Sequence, residues 1–169
     1  MIVTITSGQH LMKDEKSRYI LHWIGQLSKI RPELGSFAIC PYASKAKFAI
    51  FEEKLCRIMP NDEYDVIIYI VEDDIDKQFL YDAVDDYNHN YSDYKFIADH
   101  GKTKTYIQGI QTSNGFFNLV LCQPRKELTE ARKKLAKTNY YDYWDKDYLE
   151  EVLEEDYKVV EIHIEPELG

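Results

Sequence analysis

The residue best suited to chemistry in this sequence is Cys40, which Pro41, Tyr42 and Ala43 follow directly. A short apolar run leads into the cysteine, and proline often occupies the first position of a helix. The unpaired N–H groups and positive dipole end of a helix N-terminus stabilise a thiolate and lower the pKa of a cysteine. The pattern predicts a nucleophilic or redox-active Cys40 at the start of a helix. The alternative is a buried, unreactive thiol that packs as a small apolar side chain, as most free cysteines do.

A histidine and two lysines lie close together in segment 99–104, which reads Asp-His-Gly-Lys-Thr-Lys and follows a predicted strand. A histidine near a cysteine can take the thiol proton, so His100 is the candidate base if the fold brings it to Cys40. Lys102 and Lys104 are candidate contacts for an anion. The alternative is an ordinary polar hairpin loop exposed to solvent.

Aromatic and acidic residues are concentrated in segment 140–148, and further acids follow it. Between residues 140 and 157 the chain has eight acids and one base, Lys146. Aromatic side chains surrounded by charge are typical of interaction surfaces. We therefore predict Tyr141, Tyr143 and Trp144 as contacts for a protein partner of basic character or for a second copy of the chain. The alternative is an acidic helix whose aromatic side packs against the core.

Metal and nucleotide motifs do not occur in the sequence. The five histidines have no ligand spacing, and there is no Cys-x-x-Cys, no His-Glu-x-x-His and no glycine-rich phosphate loop. We therefore predict no cofactor and no metal, and we leave open a metal site assembled from residues that are distant in sequence. The polar run 85–90 lacks the spacing and the glycine of a calcium loop.

Around Cys40 the sequence resembles a family of small bacterial proteins in which a helix precedes Leu-Cys-Pro-Phe-Ala. The matching residues are Ile39 to Ala43, with Tyr42 in place of the phenylalanine, and the helix that contains Trp23 precedes them. The likeness extends, with shortened loops, to about Leu135. The resemblance implies one domain built around the motif, and it implies no reaction, because the family has no established activity.

Length, charge and composition indicate the general class of this protein. The chain has 169 residues, a formal charge of −9 and 44% hydrophobic residues, which is enough apolar material for a single domain over 1–169. The acidic balance disfavours general nucleic-acid binding, which depends on lysine and arginine at phosphates. No apolar run is long enough for a membrane span or a signal peptide, and three widely spaced cysteines fit reduced thiols, so we expect a cytoplasmic protein.

Hydrophobic spacing predicts the elements that position these residues. The predicted helices cover 14–30, 48–58, 75–87, 124–137 and 146–153, and the predicted strands cover 2–5, 66–71, 94–98, 105–110, 116–122 and 159–164. The alternatives are a strand over 48–51 alone and an extended arm over 2–5. Asp73 and Asp74 are the expected N-caps of the third helix. A tight turn at 113–115 is expected to join 105–110 and 116–122 as a hairpin.

This order of elements predicts an α+β domain with a mixed or antiparallel sheet and helices on one face, in a ferredoxin-like sandwich. The leading functional hypothesis is an accessory or regulatory protein that binds a partner through its acidic, tyrosine-rich C-terminal surface. The second hypothesis is a thiol-dependent enzyme or redox protein, with Cys40 as nucleophile and His100 as base. The placement of these two side chains relative to each other would separate the hypotheses.

Overall fold

A five-stranded mixed sheet forms the centre of the fold in the computed structural model, which describes residues 2–6 and 14–164. Its first four strands along the chain are β1 (Ile2–Thr6), β2 (Lys47–Glu52), β3 (Val66–Ile70) and β4 (Tyr94–Asp99). Strands β5 (Tyr106–Ile107) and β6 (Ile110–Gln111) form a separate two-stranded ladder, and β7 (Leu119–Pro124) completes the sheet. The spatial order is β1-β2-β3-β7-β4, in which β1, β2 and β3 are parallel and β7 is antiparallel to β3 and β4.

The central position of β3 follows from its composition. Its residues are all β-branched or aromatic, and four of the five are buried. A strand of this kind buries both of its faces, as the sequence predicted. Ile67 and Tyr69 lie in the core on one face of the sheet, and Ile68 and Ile70 lie in the core on the other.

Five α-helices and four short 3-10 helices occur in the described residues. The α-helices in the described residues are α1 (Asp14–Ser28), α2 (Lys77–Asn90), α3 (Arg125–Ala136), α4 (Lys146–Leu153) and α5 (Tyr157–Ile164). Short 3-10 helices occur at Pro32–Leu34, Leu55–Arg57, Tyr140–Tyr143 and Glu154–Asp156. In residues 2–6 and 14–164, none of the helices combines the length and the apolar character needed to cross a membrane.

The helices cover both faces of the sheet. Helix α1 packs Ile20 and Ile24 against the face that carries Ile68, and α2 packs Leu80 and Val84 against the opposite face. The α+β class with a mixed sheet is confirmed, and the helices lie on two faces instead of the single face predicted. The physical reason is the apolar character of both faces of β2, β3 and β7, which need a helical layer on each side. The ferredoxin-like detail is unconfirmed.

Segment 48–58, which the spacing predicts as a helix, instead forms β2 and the 3-10 helix Leu55–Arg57. Phe48 and Ile50 pack on the α1 side of the sheet, and Ala49 and Phe51 pack on the α2 side. A strand that is buried on both faces has no polar alternation, so its apolar run resembles part of a buried helix.

Two of the predicted strands also differ in the structure. Segment 159–164 lies in α5, whose Val160 packs in a core with α3 and α4. Segment 105–110 is divided between β5 and β6, because Gln108 and Gly109 have φ angles of 50° and 77° and reverse the chain. Segment 116–122 contributes β7, which pairs with β3 and β4 and not with 105–110 as a hairpin.

Helix α2 begins later than the sequence predicts. Its N-cap is Asp76, whose carboxylate accepts the main-chain N–H of Phe79 at 2.8 Å. Asp73 and Asp74, the predicted caps, lie in the preceding turn. In the first turn of α2, Phe79 is 62% exposed, while Leu80 beside it is fully buried.

The C-terminal helices have a core of their own. Leu149, Leu153 and Val160 are buried there with the rings of Tyr140 and Tyr141. This core brings the acidic α4, and α5, which has one acid and one lysine, against the basic α3. The aromatic residues of 140–148 therefore serve mainly as packing for this core.

Candidate functional site

Cys40 lies in a loop and not at a helix N-terminus. Residues 41–45, directly after it, form turns. The main-chain N–H groups of Tyr42 and Ala43 donate to the Cys40 sulfur, but burial on the α1 side of the sheet outweighs them and raises the pKa of the thiol. The predicted helix N-terminus is therefore wrong, and the thiolate is disfavoured. These observations favour the alternative in which Cys40 is a packed, unreactive thiol.

His100 is held by main-chain groups at both ring nitrogens. Its Nε2 donates to the carbonyl oxygen of Ile75 at 2.7 Å, and its Nδ1 accepts the N–H of Lys102 at 3.2 Å. This pattern fits a neutral imidazole with its proton on Nε2. The ring joins the loop after β4 to the start of α2. Although His100 and Cys40 line the same cavity, neither nitrogen is available as a base for the thiol.

The other predicted contacts do not form one surface. Lys102 and Lys104 are exposed on the loop between β4 and β5. Tyr141 is buried, and Tyr143 and Trp144 are partly buried. Trp144 makes ring contacts with three tyrosines of its own segment. The aromatic side chains belong to the core, as the alternative interpretation of this segment predicts, and the acids form its exposed side.

A cavity of about 390 Å³ lies beside the outer edge of β4, and we call it the β4-edge cavity. Helix α2 forms one wall, and α1, α4 and the segment around β5 and β6 form the others. Its polar and ionisable lining residues are Tyr81, Asp85, Asn88, Lys95, Asp99, His100, Thr103, Thr105, Thr112, Ser113, Tyr148, Glu151 and Glu154. A cavity on which polar groups from several elements converge is the usual form of a small-molecule site.

The edge of β4 also supplies main-chain groups to the cavity. Within the described residues β4 pairs with β7 alone, so alternate N–H and C=O groups of β4 point away from the sheet. Asn88 satisfies those of Phe96, because its Oδ1 accepts the N–H at 2.7 Å and its Nδ2 donates to the carbonyl at 2.9 Å. Ala98 lies two residues further on and lines the cavity. The main-chain N–H and C=O of Ala98 therefore point away from β7, as those of Phe96 do, and a ligand in the cavity can form hydrogen bonds with them.

Two charged side chains of β4 lie at the cavity, of which Lys95 is buried and Asp99 is partly buried. Lys95 is 4% exposed, and its ammonium group pairs with the carboxylate of Glu154. The Oδ2 of Asp99 accepts the main-chain N–H and the side-chain amide of Asn114, at 3.0 and 2.8 Å. Burial nevertheless raises the pKa of Asp99, because removal from water disfavours the charged form more than these hydrogen bonds favour it.

A row of hydroxyl groups forms another wall of the cavity. The hydroxyl oxygens of Thr105 and Thr112 are 2.6 Å apart, and that of Thr112 is 2.9 Å from the hydroxyl oxygen of Tyr148. The indole N–H of Trp23 donates to the main-chain oxygen of Thr112 at 3.0 Å. This row joins α1, the residues on either side of the β5–β6 ladder and α4, so it fixes the wall in position.

Tyr81 and nearby carboxylates make the cavity acidic. Burial raises the pKa of Tyr81, and the negative charges of Glu151 and Asp99 raise it further. Tyr81, Asp99 and Glu151 all line the cavity. In the described part of the chain, Asp85 and Glu151 form no ion pair, and Lys95 is the one lysine or arginine at the cavity. The cavity therefore carries an excess of negative charge.

Buried polar contacts hold the loop between β4 and β7 in place. The side chain of Asn118 accepts the N–H of Gly101 and donates to the carbonyl of Glu72, both at 2.9 Å. Glycine is required at 101, because a Cβ there would overlap the carbonyl oxygen of Phe116. These contacts fix the loop that carries Thr112 relative to β4.

Sequence reasoning missed most of the residues at this site. One usable signal lies in β4, where Lys95 and Asp99 are four residues apart and therefore project from the same face of the strand. Charged residues at two such positions of a strand within the core indicate a polar site. Tyr81, Thr112 and Tyr148 are distant in sequence and belong to no motif, so no pattern in the chain brings them together.

Comparisons with known proteins give no further guide to this site. No protein-family model, no curated protein and no solved structure matches the chain. Among residues 2–6 and 14–164, no group of three or more His, Cys, Asp and Glu side chains is placed to hold a metal ion. The chemistry of the β4-edge cavity therefore has to be interpreted from its own residues.

Proposed function

We propose that this protein binds a small organic cation, such as a molecule with an ammonium group, in the β4-edge cavity. The observation that carries the proposal is the excess of carboxylates at the cavity. Asp85, Asp99 and Glu151 line it, and Lys95 is already neutralised by Glu154. A cavity with this charge attracts cations and repels anions.

A cation next to Asp99 would offset the cost of burying this carboxylate. An ammonium group provides both positive charge and N–H donors, and hydrogen bonds between charged groups are about twice as strong as neutral ones. The two hydrogen bonds that Asp99 makes to Asn114 both reach Oδ2. Its Oδ1 receives none from the described residues and is available to accept from a ligand.

Aromatic side chains at the cavity favour the same kind of ligand. The rings of Trp23, Tyr81 and Tyr148 contribute to the lining. The face of an aromatic ring carries partial negative charge and attracts a cation within about 6 Å. The hydroxyl row and the main chain of Ala98 provide further positions for polar groups of the ligand.

The test compares n-butylammonium with n-butanol, which has the same chain and no charge. Binding is followed by the NMR signal of the Trp23 indole N–H, which donates to Thr112 at the cavity wall. We expect n-butylammonium to shift this signal at concentrations at which n-butanol does not. Asp99→Asn should weaken binding of n-butylammonium by at least about tenfold, because it removes a charged acceptor.

The matched control is Asp82→Asn. Asp82 is an exposed residue of α2 that accepts from Gln78 and does not belong to the cavity lining. This change should leave the affinity for n-butylammonium within about twofold, because exposed charges contribute little. Equal binding of n-butylammonium and n-butanol, or unchanged binding in Asp99→Asn, would overturn the proposal.

A second candidate function is binding of a basic protein partner, and the exposed acids of the C-terminal segment favour it. Asp142, Asp145, Asp147 and Glu150 are exposed, and none of them forms an ion pair within the described residues. A decalysine peptide should bind the wild type, and binding should weaken as salt is added. The double variant Asp145→Asn, Glu150→Gln should bind the peptide several-fold more weakly. The same affinity for both proteins would exclude this surface.

We propose a cytoplasmic location for either function. All three cysteines are unpaired thiols. Reducing compartments keep thiols in this form, whereas oxidising compartments favour disulfides.

A further inference from the structure

A second cavity, of about 570 Å³, adjoins the β4-edge cavity, and we call it the apolar cavity. It lies between α3 and the loop 39–46. Ile39, Cys40 and Val152 line both cavities. The two cavities therefore adjoin at these three side chains.

The apolar cavity offers a ligand no net charge. Phe48, Leu128, Leu135 and Leu153 are among its lining residues. Its lysines and its acids are equal in number among the described residues, three of each. Arg132 also lines it, but Asp156 neutralises the guanidinium group at 2.9 Å. The apolar cavity is thus suited to hydrocarbon and not to an ion.

We infer that the cation of the proposed function is an amphiphile, whose charged head lies beside Asp99 and whose apolar chain passes Cys40 into the apolar cavity. This inference rests on the proposed function, and it adds the chemical class of the ligand. The polar and the apolar cavity lie on the two sides of one small side chain, and this arrangement matches a molecule with a polar and an apolar end.

Cys40 is well suited to the junction between the cavities. It is a small residue, so it narrows the passage less than a leucine or a phenylalanine would. Burial keeps its thiol neutral, and a neutral thiol is compatible with a hydrocarbon chain next to it. The packed cysteine, which the sequence alone leaves without a role beyond packing, thereby acquires one in the passage.

The experiment compares n-octylammonium with n-butylammonium on the full-length protein. Each methylene transferred from water into an apolar cavity improves affinity by about fourfold, so octylammonium should bind at least about tenfold more tightly. The two tryptophans of the chain report on the two cavities, since Trp23 lines the β4-edge cavity and Trp144 lines the apolar cavity. Butylammonium should shift the indole signal of Trp23, and octylammonium should shift both signals.

A variant that fills the apolar cavity isolates the chain-binding step. Ala131 is a half-buried residue of α3 at this cavity, and Ala131→Phe should reduce the affinity for octylammonium to that for butylammonium. Lys133→Phe is the control on the same helix, because Lys133 does not belong to the cavity lining. It should leave the preference for octylammonium unchanged.

The outcomes separate this inference from the proposed function. If both ions bind with equal affinity and both shift only Trp23, the proposed function stands and the inference is overturned. If octylammonium shifts only Trp144, and Asp99→Asn has no effect on it, the apolar cavity is an independent site and the inference is also overturned. If neither ion binds, the proposed function is wrong, and the inference that rests on it is overturned with it.

Discussion

At the scale of single residues, burial controls the ionisable groups at the centre of this molecule. The thiol of Cys40 and the carboxyl of Asp99 both have raised pKa values, although each receives two hydrogen bonds that favour its charged form. Desolvation therefore outweighs hydrogen bonding at both positions. For Cys40 this means low reactivity, and for Asp99 it means a carboxylate that gains from a bound cation.

Cysteine reactivity gives the first prediction. Iodoacetamide should modify Cys56 first, because Cys56 is exposed, and it should modify Cys40 and Cys122 slowly. Burial raises the pKa of the Cys122 thiol to about 12. Mass spectrometry of the folded protein over a time course measures the three rates. Fastest labelling at Cys40 would contradict this expectation and would restore the hypothesis of a thiol-dependent enzyme.

The raised pKa of Asp99 gives a prediction about stability and pH. Because the pKa is higher in the folded than in the unfolded state, the stability of the wild type falls as pH rises through the folded-state pKa. Asp99→Asn removes the buried charge and keeps an oxygen that can accept from Asn114. Its melting temperature should exceed that of the wild type at pH 7, and the difference should vanish near about pH 3, below the unfolded-state pKa.

Differential scanning calorimetry across this pH range measures the effect, with Asp82→Asn as the control for removal of an exposed charge. A variant that is less stable than the wild type at pH 7 would show that ionised Asp99 contributes favourably to the fold. Together with the binding assay, a stabilising effect would show that Asp99 is kept for the ligand at the expense of stability.

At the scale of secondary-structure elements, the local sequence pattern determines the structure of some segments, and tertiary packing determines the structure of others. The spacing in α1 and the β-branched run of β3 predict these elements correctly, because α1 has a clear helical period and β3 is a continuous run of β-branched and aromatic residues between polar segments. Segments 48–58 and 159–164 are predicted incorrectly, because short apolar runs fit a strand and a helix equally well. Their contacts with α1, α2 and α3 decide the outcome, and these contacts are not visible in the sequence.

The start of α2 can be tested by single substitutions. Asp76→Ala removes the side chain that accepts the N–H of Phe79, and it should lower the free energy of unfolding by about 1 kcal/mol. Asp73 and Asp74 lie in the preceding turn. Asp73→Ala and Asp74→Ala should each change the free energy of unfolding by less than about 0.5 kcal/mol. Urea unfolding of the three variants measures the differences. A larger effect at Asp73 or Asp74 than at Asp76 would place the cap where the sequence alone predicts it.

At the scale of the whole molecule, the uneven charge of the chain is partly neutralised within the fold. Residues 99–137 carry eight bases and three acids, and residues 140–157 carry eight acids and one base. Ion pairs of Arg125 with Glu155 and of Arg132 with Asp156 join these segments. The charge pattern that suggests a partner in the sequence therefore also attaches the C-terminal helices to α3.

The buried pair of Arg132 and Asp156 should contribute most to this attachment. Asp156 also accepts the hydroxyl of Thr129, so Asp156→Ala leaves the buried guanidinium group of Arg132 and the partly buried hydroxyl of Thr129 without this acceptor. We expect a loss of about 3–5 kcal/mol in the free energy of unfolding. Glu130→Ala, which breaks the exposed pair with Lys133, should cost less than about 1 kcal/mol. Similar losses for the two variants in urea unfolding would contradict this ranking.

The candidate site is assembled from elements that are distant in the sequence. For this reason the sequence predicts few of its residues. His100 in segment 99–104 has a structural role, because main-chain groups hold both of its ring nitrogens, and its neighbour Asp99 is the residue on which the proposed cation binding depends. The remaining lining side chains come from α1, α2, α4 and the residues around β5 and β6. Only the packing of these elements brings them together.

The insertion of β7 between β3 and β4 determines when the central sheet becomes continuous during synthesis. Strand β7 follows both neighbours in the chain, yet it lies between them in the sheet. While the ribosome has delivered β3 and β4 but not residues 119–124, each of these strands has an open edge that can pair with another chain. Leu121 of β7 lines the β4-edge cavity, but Tyr148, Glu151 and Glu154 of the lining follow later in the chain. The nascent chain therefore gains a continuous sheet when β7 is made, and the walls of the cavity are complete only after residues 148–154 have followed.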